Sequence, residues 1–594
     1  MPGILNYKVA LSKDELEKLK LFFTDSQNPS YNIFTFENTL TEEEKALIAA
    51  RFSRSKEISI QKLFLKEILR DEDIEKLKGL EKVSKNNKKI SEINKRIISD
   101  YGDDSVLDMV SAIVGIEGID QVSAKIIEDC RLCGYIEKST RFVNFSNPLQ
   151  LNEKGEIIGY ADEKYSNSKK YYLYRTYEPI ESSNLANTYN QAMDELFATF
   201  SKVLEKTIVE LKNKMPLSEQ EFPDQNDSKN KIKYERLSEE DKKIAEKAYN
   251  MATKAKAFDI CRAILPMSTI TNLAWSADFR SFTNTLIKMY ASEDPEAAKI
   301  AESVYNVLYT CAPSLISKVK NKHSQDQINY LKNNQQKLHQ LEKELEQLAK
   351  GKGNEYDVFA SSDKVNVNTK NVRLLRADND ESAKLNIATN LMVQDSYMDR
   401  EKILRILQEN TEFVNKIINT INKDRDNRWK KLPRAFESTN YTVALSAPIS
   451  VYRDLQRNRF VLHIPKSFTV ENGYIIPKLI YDIGFDGEFK DKITSIENVY
   501  TELKMNKKLE GYANRAVTFA HIIKWIDIFN LREADWYIRL RTSAQGDDVY
   551  RELMFKLYNE LRSAQPDLIK NSIKPGEDKI GQLNRAMSLF KRKK

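Results

Sequence analysis

Residues 101–146 read YGDDSVLDMVSAIVGIEGIDQVSAKIIEDCRLCGYIEKSTRFVNFS, and the change of period inside this stretch decides the fold. Val110, Ala112, Val114 and Ile116 alternate with other residues, the period of a half-buried strand. Gly115 and Gly118 punctuate it. From Ile119 the spacing lengthens: Val122, Ile126, Cys130 and Cys133 fall on one face of a helix expected to end at Gly134. In the extended segment expected next, Glu137, Ser139 and Arg141 point to one side. A carboxylate, a hydroxyl and a guanidinium on one edge suit a ligand with a phosphate at one end and hydroxyl or N–H donors at the other. A solvated strand edge is the commoner origin of so short a pattern as E-x-S-x-R.

The order of parts says more. Gly102-Asp103-Asp104-Ser105-Val106, then Ile116-Glu117-Gly118, a helix, and Glu137 to Phe142 resemble the signature region of the flavin-dependent thymidylate synthases (ThyX). That family carries R-H-R-x-x-S-x-N-E-x-S-x-R-Y. Here Asp129-Cys130-Arg131 stands in place of R-H-R, Gly134 in place of the first Ser and Ile136 in place of the Asn. The nucleotide-binding end is kept and the flavin-binding end is largely lost. The N-terminal region, through Leu63-Phe64-Leu65-Lys66-Glu67, resembles a long, two-repeat branch of the same family. Arg262-Ala263-Ile264-Leu265-Pro266 and Asp278-Phe279-Arg280-Ser281-Phe282 resemble its R-x-x-L-P and N-A-R-S helices. Arg262, Arg280 and Asn284 match the family; Met289 stands where an arginine grips the nucleotide, and Lys288 beside it points about 100° away on a helix.

The second half repeats the theme. Ala435-Phe436-Glu437, a strand from Tyr441 to Ser446, Ala447-Pro448 and a helix from Val451 to Arg459 resemble the family's strand, A-P turn and helix ending in R-H-R. Asn514-Arg515-Ala516-Val517 and Asn530-Leu531-Arg532-Glu533-Ala534 echo Arg262 and the Asp278 helix; Arg541, Gln545 and Arg551 follow. The resemblance implies an α+β fold of two tandem ThyX-like domains, each with helices packed on a small antiparallel sheet. Residues 1–320 would form the first domain with a helical N-terminal extension, 321–380 a helical connector and linker, and 381–594 the second domain.

What the resemblance implies for function is reductive methylation of dUMP to dTMP, with FAD as cofactor and NADPH and methylenetetrahydrofolate as co-substrates. The copies have decayed in different places, so a composite site is expected. Glu137, Ser139, Arg141, Arg262, Arg280 and Arg541 would bind the nucleotide, and Arg457, Asn458, Arg459, Asn530, Arg532 and Asn284 the cofactor. No catalytic residue and no metal ligand is assigned. Family sites lie between subunits of a homotetramer, so two chains are expected to pair as a homodimer that makes a pseudo-tetramer. The alternatives are a ThyX-fold enzyme modifying another pyrimidine nucleotide, and a non-catalytic nucleotide-binding or scaffold protein.

Composition narrows the classes. A chain of 594 residues with 41% hydrophobic content allows two to four domains with real cores. Its 94 basic and 87 acidic residues leave a net charge of only +7, which argues against a dedicated nucleic-acid binder. Four cysteines and no secretory leader point to a reducing, cytoplasmic setting, and no run approaches the roughly 18 apolar residues of a spanning helix. With 17 glycines and no glycine-rich phosphate loop, no Rossmann domain is expected.

Helices are expected over Ser12–Phe23, Thr41–Arg51, Ile60–Arg70 and Asn184–Lys214, and a loop over Pro216–Ser238. Arg51, Ser53, Arg54 and Ser55 could hold an anion, although plain surface exposure is the safer reading. From Gln325 to Lys350, Leu331, Leu338 and Leu345 are seven apart, as are Leu341 and Leu348: a heptad seam for an internal helical hairpin or a dimer contact. None of the four histidines matches a family functional position, and His463 and His521 are expected to be ordinary packed or half-exposed side chains. Cys130-x-x-Cys133 invites a redox or zinc reading, but both residues continue the apolar face of Val122 and Ile126, which favours core packing.

Overall fold

The computed structural model describes residues 9–25, 34–37, 40–52, 55–69, 104–160, 171–223, 230–350, 371–427, 429–576, 583 and 590. Gly102 and Asp103 of the signature, the Ser53-Arg54 pair and residues 351–370 of the connector lie outside these. The chain forms two compact units. The first comprises 1–117, 126–137 and 272–348, and the second 118–125, 138–271 and 349–594. In chain order the elements that matter below are β1 (Ser111–Asp120), α1 (Gln121–Ile127), β2 (Gly134–Glu137), α2 (Ala186–Lys214), α3 (Glu239–Cys261), β3 (Ile270–Asp278), α4 (Phe279–Ala291) and α5 (Lys322–Ala349). They continue with β4 (Val372–Ala377), β5 (Tyr441–Pro448), α6 (Ile449–Leu455), β6 (Leu462–Pro465), β7 (Ile522–Phe529), α7 (Leu531–Arg541) and α8 (Asp548–Ala564).

The first unit holds a three-stranded sheet in the order β1-β3-β2. β2 runs antiparallel to β3, with Gly134 opposite Ser276 and Glu137 opposite Leu273. The expected alternation on β1 is present: Val114 is buried while Ile113 and Gly115 face out. Gly118 sits at φ +73°, in the left-handed region, so backbone conformation alone calls for glycine there.

Two expectations fail in the adjoining stretch. The helix does not run to Gly134 but stops at Ile127. The Tyr135 hydroxyl donates to the carbonyl oxygens of Ile127 (2.7 Å) and Cys130 (3.2 Å), taking up acceptors at the helix end, and the chain turns. Cys130 and Cys133 therefore lie in a turn and not on a helix face. The extended comb is also absent, because β2 ends at Glu137. The Ser139 carbonyl accepts the N–H groups of Phe142 and Val143 (both 3.2 Å) and the Ser139 Oγ accepts the Arg141 N–H (3.2 Å), which closes a turn.

α4 starts where the Asp278 carboxylate accepts the Ser281 N–H (2.6 Å), and it buries Phe279, Phe282, Leu286 and Met289 beside Trp275. Met289 is thus a core residue. α5 packs only its beginning, with Ile328 and Leu331 against Ile287 and Ala291. Leu338, Leu341, Leu345 and Leu348 are exposed, so among the described residues the heptad seam has no internal partner helix.

The second unit is built on a four-stranded antiparallel sheet, order β4-β5-β7-β6. On β5 every residue from Val443 to Pro448 is buried, so this central strand is covered on both faces. α2 buries Tyr189, Met193, Leu196, Phe200, Leu204 and Leu211, the three- and four-residue spacing of one helical face. The expected loop 216–238 contains a short hairpin, Glu221–Pro223 paired with Lys231–Lys233, held by burial of Phe222 against Tyr249 and Leu237. The two main sheets share an order of parts. Strand, helix, strand and later strand-helix give β1-α1-β2 with β3-α4, and β5-α6-β6 with β7-α7; in each sheet the last strand lies between the other two. Among the described residues no helix is long and apolar enough to cross a membrane.

The uneven packing of α5 predicts uneven mutational costs. Ile328→Ala should destabilise by about 2–4 kcal/mol, whereas Leu345→Gln should stay within about 0.5 kcal/mol, as read from urea-unfolding midpoints. An equal cost at Leu345 would mean that a second molecule covers the seam.

Candidate functional site

Within the second unit, residues from the two halves of the sequence meet around two buried arginines. Arg262 follows α3 in a short 3-10 turn and is only 2% exposed. Its Nη2 donates to Asp454 Oδ2 (2.9 Å) and Asp547 Oδ2 (3.4 Å), and its Nη1 to Thr140 Oγ1 (3.3 Å). Arg515, fully buried, donates from Nε to Asp120 Oδ2 (2.8 Å). The Tyr177 hydroxyl donates to the same oxygen (2.6 Å), and the Tyr177 and Tyr512 rings stand 5.4 and 5.6 Å from the guanidinium.

Asp120 also accepts the Ser123 N–H (2.7 Å) at the start of α1. Between the two ion pairs the backbones run past each other: Met267 N–H bonds Val517 C=O (2.7 Å) and Phe519 N–H bonds Leu265 C=O (2.9 Å). Each arginine therefore reaches a carboxylate of the other half. Burial pushes the Asp454 carboxyl up, but the guanidinium groups of Arg262, Arg141 and Arg541 outweigh it and hold the group well below the usual carboxylate range.

A cavity of about 110 Å³ opens beside this cluster, lined among others by Arg141, Lys256, Asp259, Ser450, Gln545 and Asp547. It is smaller than the roughly 300 Å³ of a complete small-molecule pocket, so as it stands it receives a part of a ligand, of phosphate or ring size. Its cations are paired. Arg141 forks onto Asp259 through Nε (2.6 Å) and Nη2 (2.7 Å), and Lys256 Nζ meets Asp548 Oδ2 (2.6 Å). Arg141 and Arg541 flank the Tyr550 ring at 6.0 and 5.8 Å. Half-buried Arg541 makes no hydrogen bond or ion pair among the described residues, and its Nε is a buried donor without a partner.

Gly546 is required by close approach, since a Cβ there would fall 2.7 Å from the Tyr550 ring. Asp547 caps α8 by accepting the Val549 N–H (2.9 Å). Its carboxyl is pushed up to about 6 by burial and the nearby Asp259 carboxylate, against the pull of Arg262 and Arg141.

The fold thus brings together Arg141, Arg262 and Arg541 of the expected nucleotide set. Ser139 precedes them in a turn, with its Oγ bonded to the Arg141 N–H. Glu137 ends β2 in the first unit, where Arg280 pairs with Asp108 (2.9 Å) and Asn284 is exposed on α4. Of the expected cofactor set, Arg457 and Arg459 are exposed just beyond α6. Asn458 is turned inward onto the Leu455 carbonyl (2.7 Å), Asn530 caps α7 by accepting the Glu533 N–H (2.9 Å), and Arg532 donates to the Leu432 carbonyl (2.7 Å) and Glu437 (3.2 Å).

Sequence reasoning missed the carboxylates Asp259, Asp454 and Asp547, and it missed Tyr550. One signal was available: an arginine inside the apolar run Ala257–Met267 must be buried and so demands a buried acid. His463 is half-buried, as expected, and has an acidic neighbour. It lies opposite Asp527 across β6 and β7, with Nδ1 2.6 Å from Oδ1, and Tyr537 donates to the other oxygen of Asp527 (3.2 Å). Nearby Glu533 is pushed up to about 7 by burial, against the fields of Arg532, His463 and Lys431.

Residues 36–314 and 373–567 match the family described as Thymidylate synthase complementing protein. The chain belongs to this family. Both matched segments contain one of the buried arginines, Arg262 and Arg515. Among relatives of this chain, a UPF0159 protein of Thermoplasma acidophilum is 27% identical over 91% of this chain and 97% of its own length. A UPF0159 protein of Chlamydia muridarum is 26% identical over 93% of each chain. A solved UMP/dUMP methylase from Streptomyces cacaoi, bound with 5-Br dUMP, is 13% identical and aligns with 34% of this chain and 93% of its own at a TM-score of 0.27, a likeness that carries no argument.

Two outcomes follow from the charge cluster. Asp454→Ala leaves Arg262 buried without its main acceptor and should cost about 3–5 kcal/mol, while Arg262→Met combined with Asp454→Leu should restore most of it in denaturant titrations. For Asp547 the fold holds the proton more tightly than the unfolded chain does. Its favourable contribution is therefore complete below about pH 4 and lost as pH rises through about 6. Asp547→Asn, which keeps an acceptor for the cap, should gain stability over the parent between pH 4 and pH 8 by on the order of 1–3 kcal/mol.

Proposed function

We propose that this chain is a flavin-dependent enzyme that methylates a pyrimidine deoxynucleotide in the thymidylate synthase manner, converting dUMP to dTMP with methylenetetrahydrofolate and NADPH. The nucleotide phosphate would sit at Arg541, whose guanidinium, like that of Arg141, lies against the Tyr550 ring. The observation that carries the reading is the guanidinium of Arg541, which makes no hydrogen bond or ion pair among the described residues, while Arg141 across the same Tyr550 ring is already matched to a carboxylate. A half-desolvated guanidinium without an acceptor is unfavourable, and an anion of the right size relieves it. Family membership supports the choice of chemistry, and the buried Arg541 Nε without a partner supports the choice of place.

Under this reading Arg141 stays on Asp259, so its fork is fixed and its positive field, not a new bond, favours the phosphate. The flavin, when bound, supplies the hydride. On this chain Arg457 and Arg459 fit its diphosphate, being exposed and making no ion pair among the described residues, and exposed Phe460 follows them with an apolar face. Asn458, Asn530 and Arg532 are committed to backbone and carboxylate partners, so holding the cofactor falls to the two exposed arginines. We further read the shared strand order of the two sheets as two ThyX-like domains in tandem, and infer that two chains pair as a homodimer. A scaffold role without catalysis is the second reading, favoured by the saturation of Arg141 by Asp259.

An absorption spectrum of the purified protein, after loading with FAD and removal of the excess, tests this directly. Retained flavin bands that shift on adding dUMP are expected, with Arg541→Ala weakening the dUMP effect by roughly 10- to 100-fold and leaving FAD retention unchanged. Retained flavin with no response to dUMP but a response to another pyrimidine nucleotide would move the substrate. Failure to retain FAD would favour the scaffold.

A further inference from the structure

The turn between α1 and β2 in the first unit places two thiols in unlike surroundings. Cys130 is half-buried, and its neighbours Asp129, Arg131 and Leu132 are exposed, so reagents reach it from solvent. Cys133 is buried at 2% exposure. The two thiols lie three residues apart at the ends of this turn, one half-buried and the other buried. The turn is held shut by the Tyr135 hydroxyl on the carbonyls of Ile127 and Cys130. Lys288, exposed on α4, adds a positive field; Glu128 in the turn and Tyr135 on β2 are the other titratable groups around the pair.

We propose that Cys130 and Cys133 form a reversible dithiol–disulfide couple whose reaction partner is a low-molecular-weight disulfide, with Cys130 the attacking and Cys133 the resolving sulfur. The electrostatics agree with the geometry. The Cys133 hydrogen bond, against burial, holds the Cys130 thiol down to about 6, while the Cys130 sulfur and burial push Cys133 far above the ordinary thiol range. At neutral pH the accessible sulfur is therefore the thiolate and the buried one keeps its proton. Cys261 shows the contrasting case: a fully buried thiol with no second sulfur, pushed up to about 12 by burial.

The Cys130 thiolate attacks one sulfur of R–S–S–R, forming Cys130–S–S–R and releasing RS⁻. Cys133 then loses its proton and attacks the Cys130 sulfur, closing the Cys130–Cys133 disulfide and releasing the second RS⁻. The two protein sulfurs are oxidised by two electrons and the small disulfide is reduced to two thiols, one released thiolate taking the Cys133 proton and the other a proton from solvent. A disulfide of this kind in a reducing compartment is transient and suited to catalysis or sensing. The couple is independent of the nucleotide site proposed above.

The test uses the full-length protein in mixtures of reduced and oxidised glutathione, followed by acid quench, alkylation and peptide mass mapping. A Cys130–Cys133 disulfide should form under oxidising ratios and open with dithiothreitol, while Cys133→Ser should accumulate glutathione on Cys130. Iodoacetamide should label Cys130 at pH 6.5 within about threefold of its rate at pH 8.5, where an ordinary thiol slows by more than about tenfold. Two results overturn the proposal: an ordinary pH profile at Cys130, or a wild-type protein in which glutathione stays on Cys130 with no link to Cys133. Should Cys133→Ser fail to fold, the wild-type mapping and pH profile decide alone.

Discussion

Two guanidinium groups, Arg262 and Arg515, are taken almost wholly out of water, and each must find a carboxylate inside the protein. Neither finds it nearby in sequence. Arg262 reaches Asp454 and Arg515 reaches Asp120, so the two pairs cross between the halves of the chain. Such a pair adds little net stability over a well-packed apolar substitute, but losing one member leaves an uncompensated charge in a medium of low dielectric. The crossing thus works as a register. It fixes which backbone groups of 265–268 meet those of 515–519, and the short bridge between them follows.

The candidate site is a by-product of this register. Asp454 is placed by its pairing with Arg262, and once there it is surrounded by Arg141 and Arg541 as well. Asp547, brought in by capping α8, accepts from the same Nη2 of Arg262. The lining cations Arg141 and Lys256 are ion-paired, whereas Arg541 makes no hydrogen bond or ion pair among the described residues. Its position is set by the end of α7 and by the Tyr550 ring.

How much of this could be read from the sequence depends on the range of the interactions involved. The strand at Ser111–Asp120, the helices α2 and α5, and the strand at β5 follow from periodicity, which is local and repeated. The family's residues Arg141, Arg262 and Arg541 could be nominated from motif order, and the fold draws them together. The end of α1 could not be read, because it depends on a tyrosine eight residues beyond Ile127 whose hydroxyl takes helix-end carbonyls. The E-x-S-x-R comb failed for a similar reason: a serine two residues before an arginine can close a turn as readily as it can line a strand. The acids that neutralise the arginines were invisible as partners, since separations of the kind between Arg262 and Asp454 leave no trace in a window of one helix or strand.

The crossed pairs also bear on inheritance. In an assembly of identical copies, a substitution at one position appears at once in every equivalent place, so a binding motif can be lost only everywhere together. Where both sides of the crossing are written into one chain, Asp120 and Asp454 answer to different arginines and can change on separate occasions. The two halves differ accordingly: Glu137, Ser139 and Arg141 lie in one, and Arg457 and Arg459 in the other.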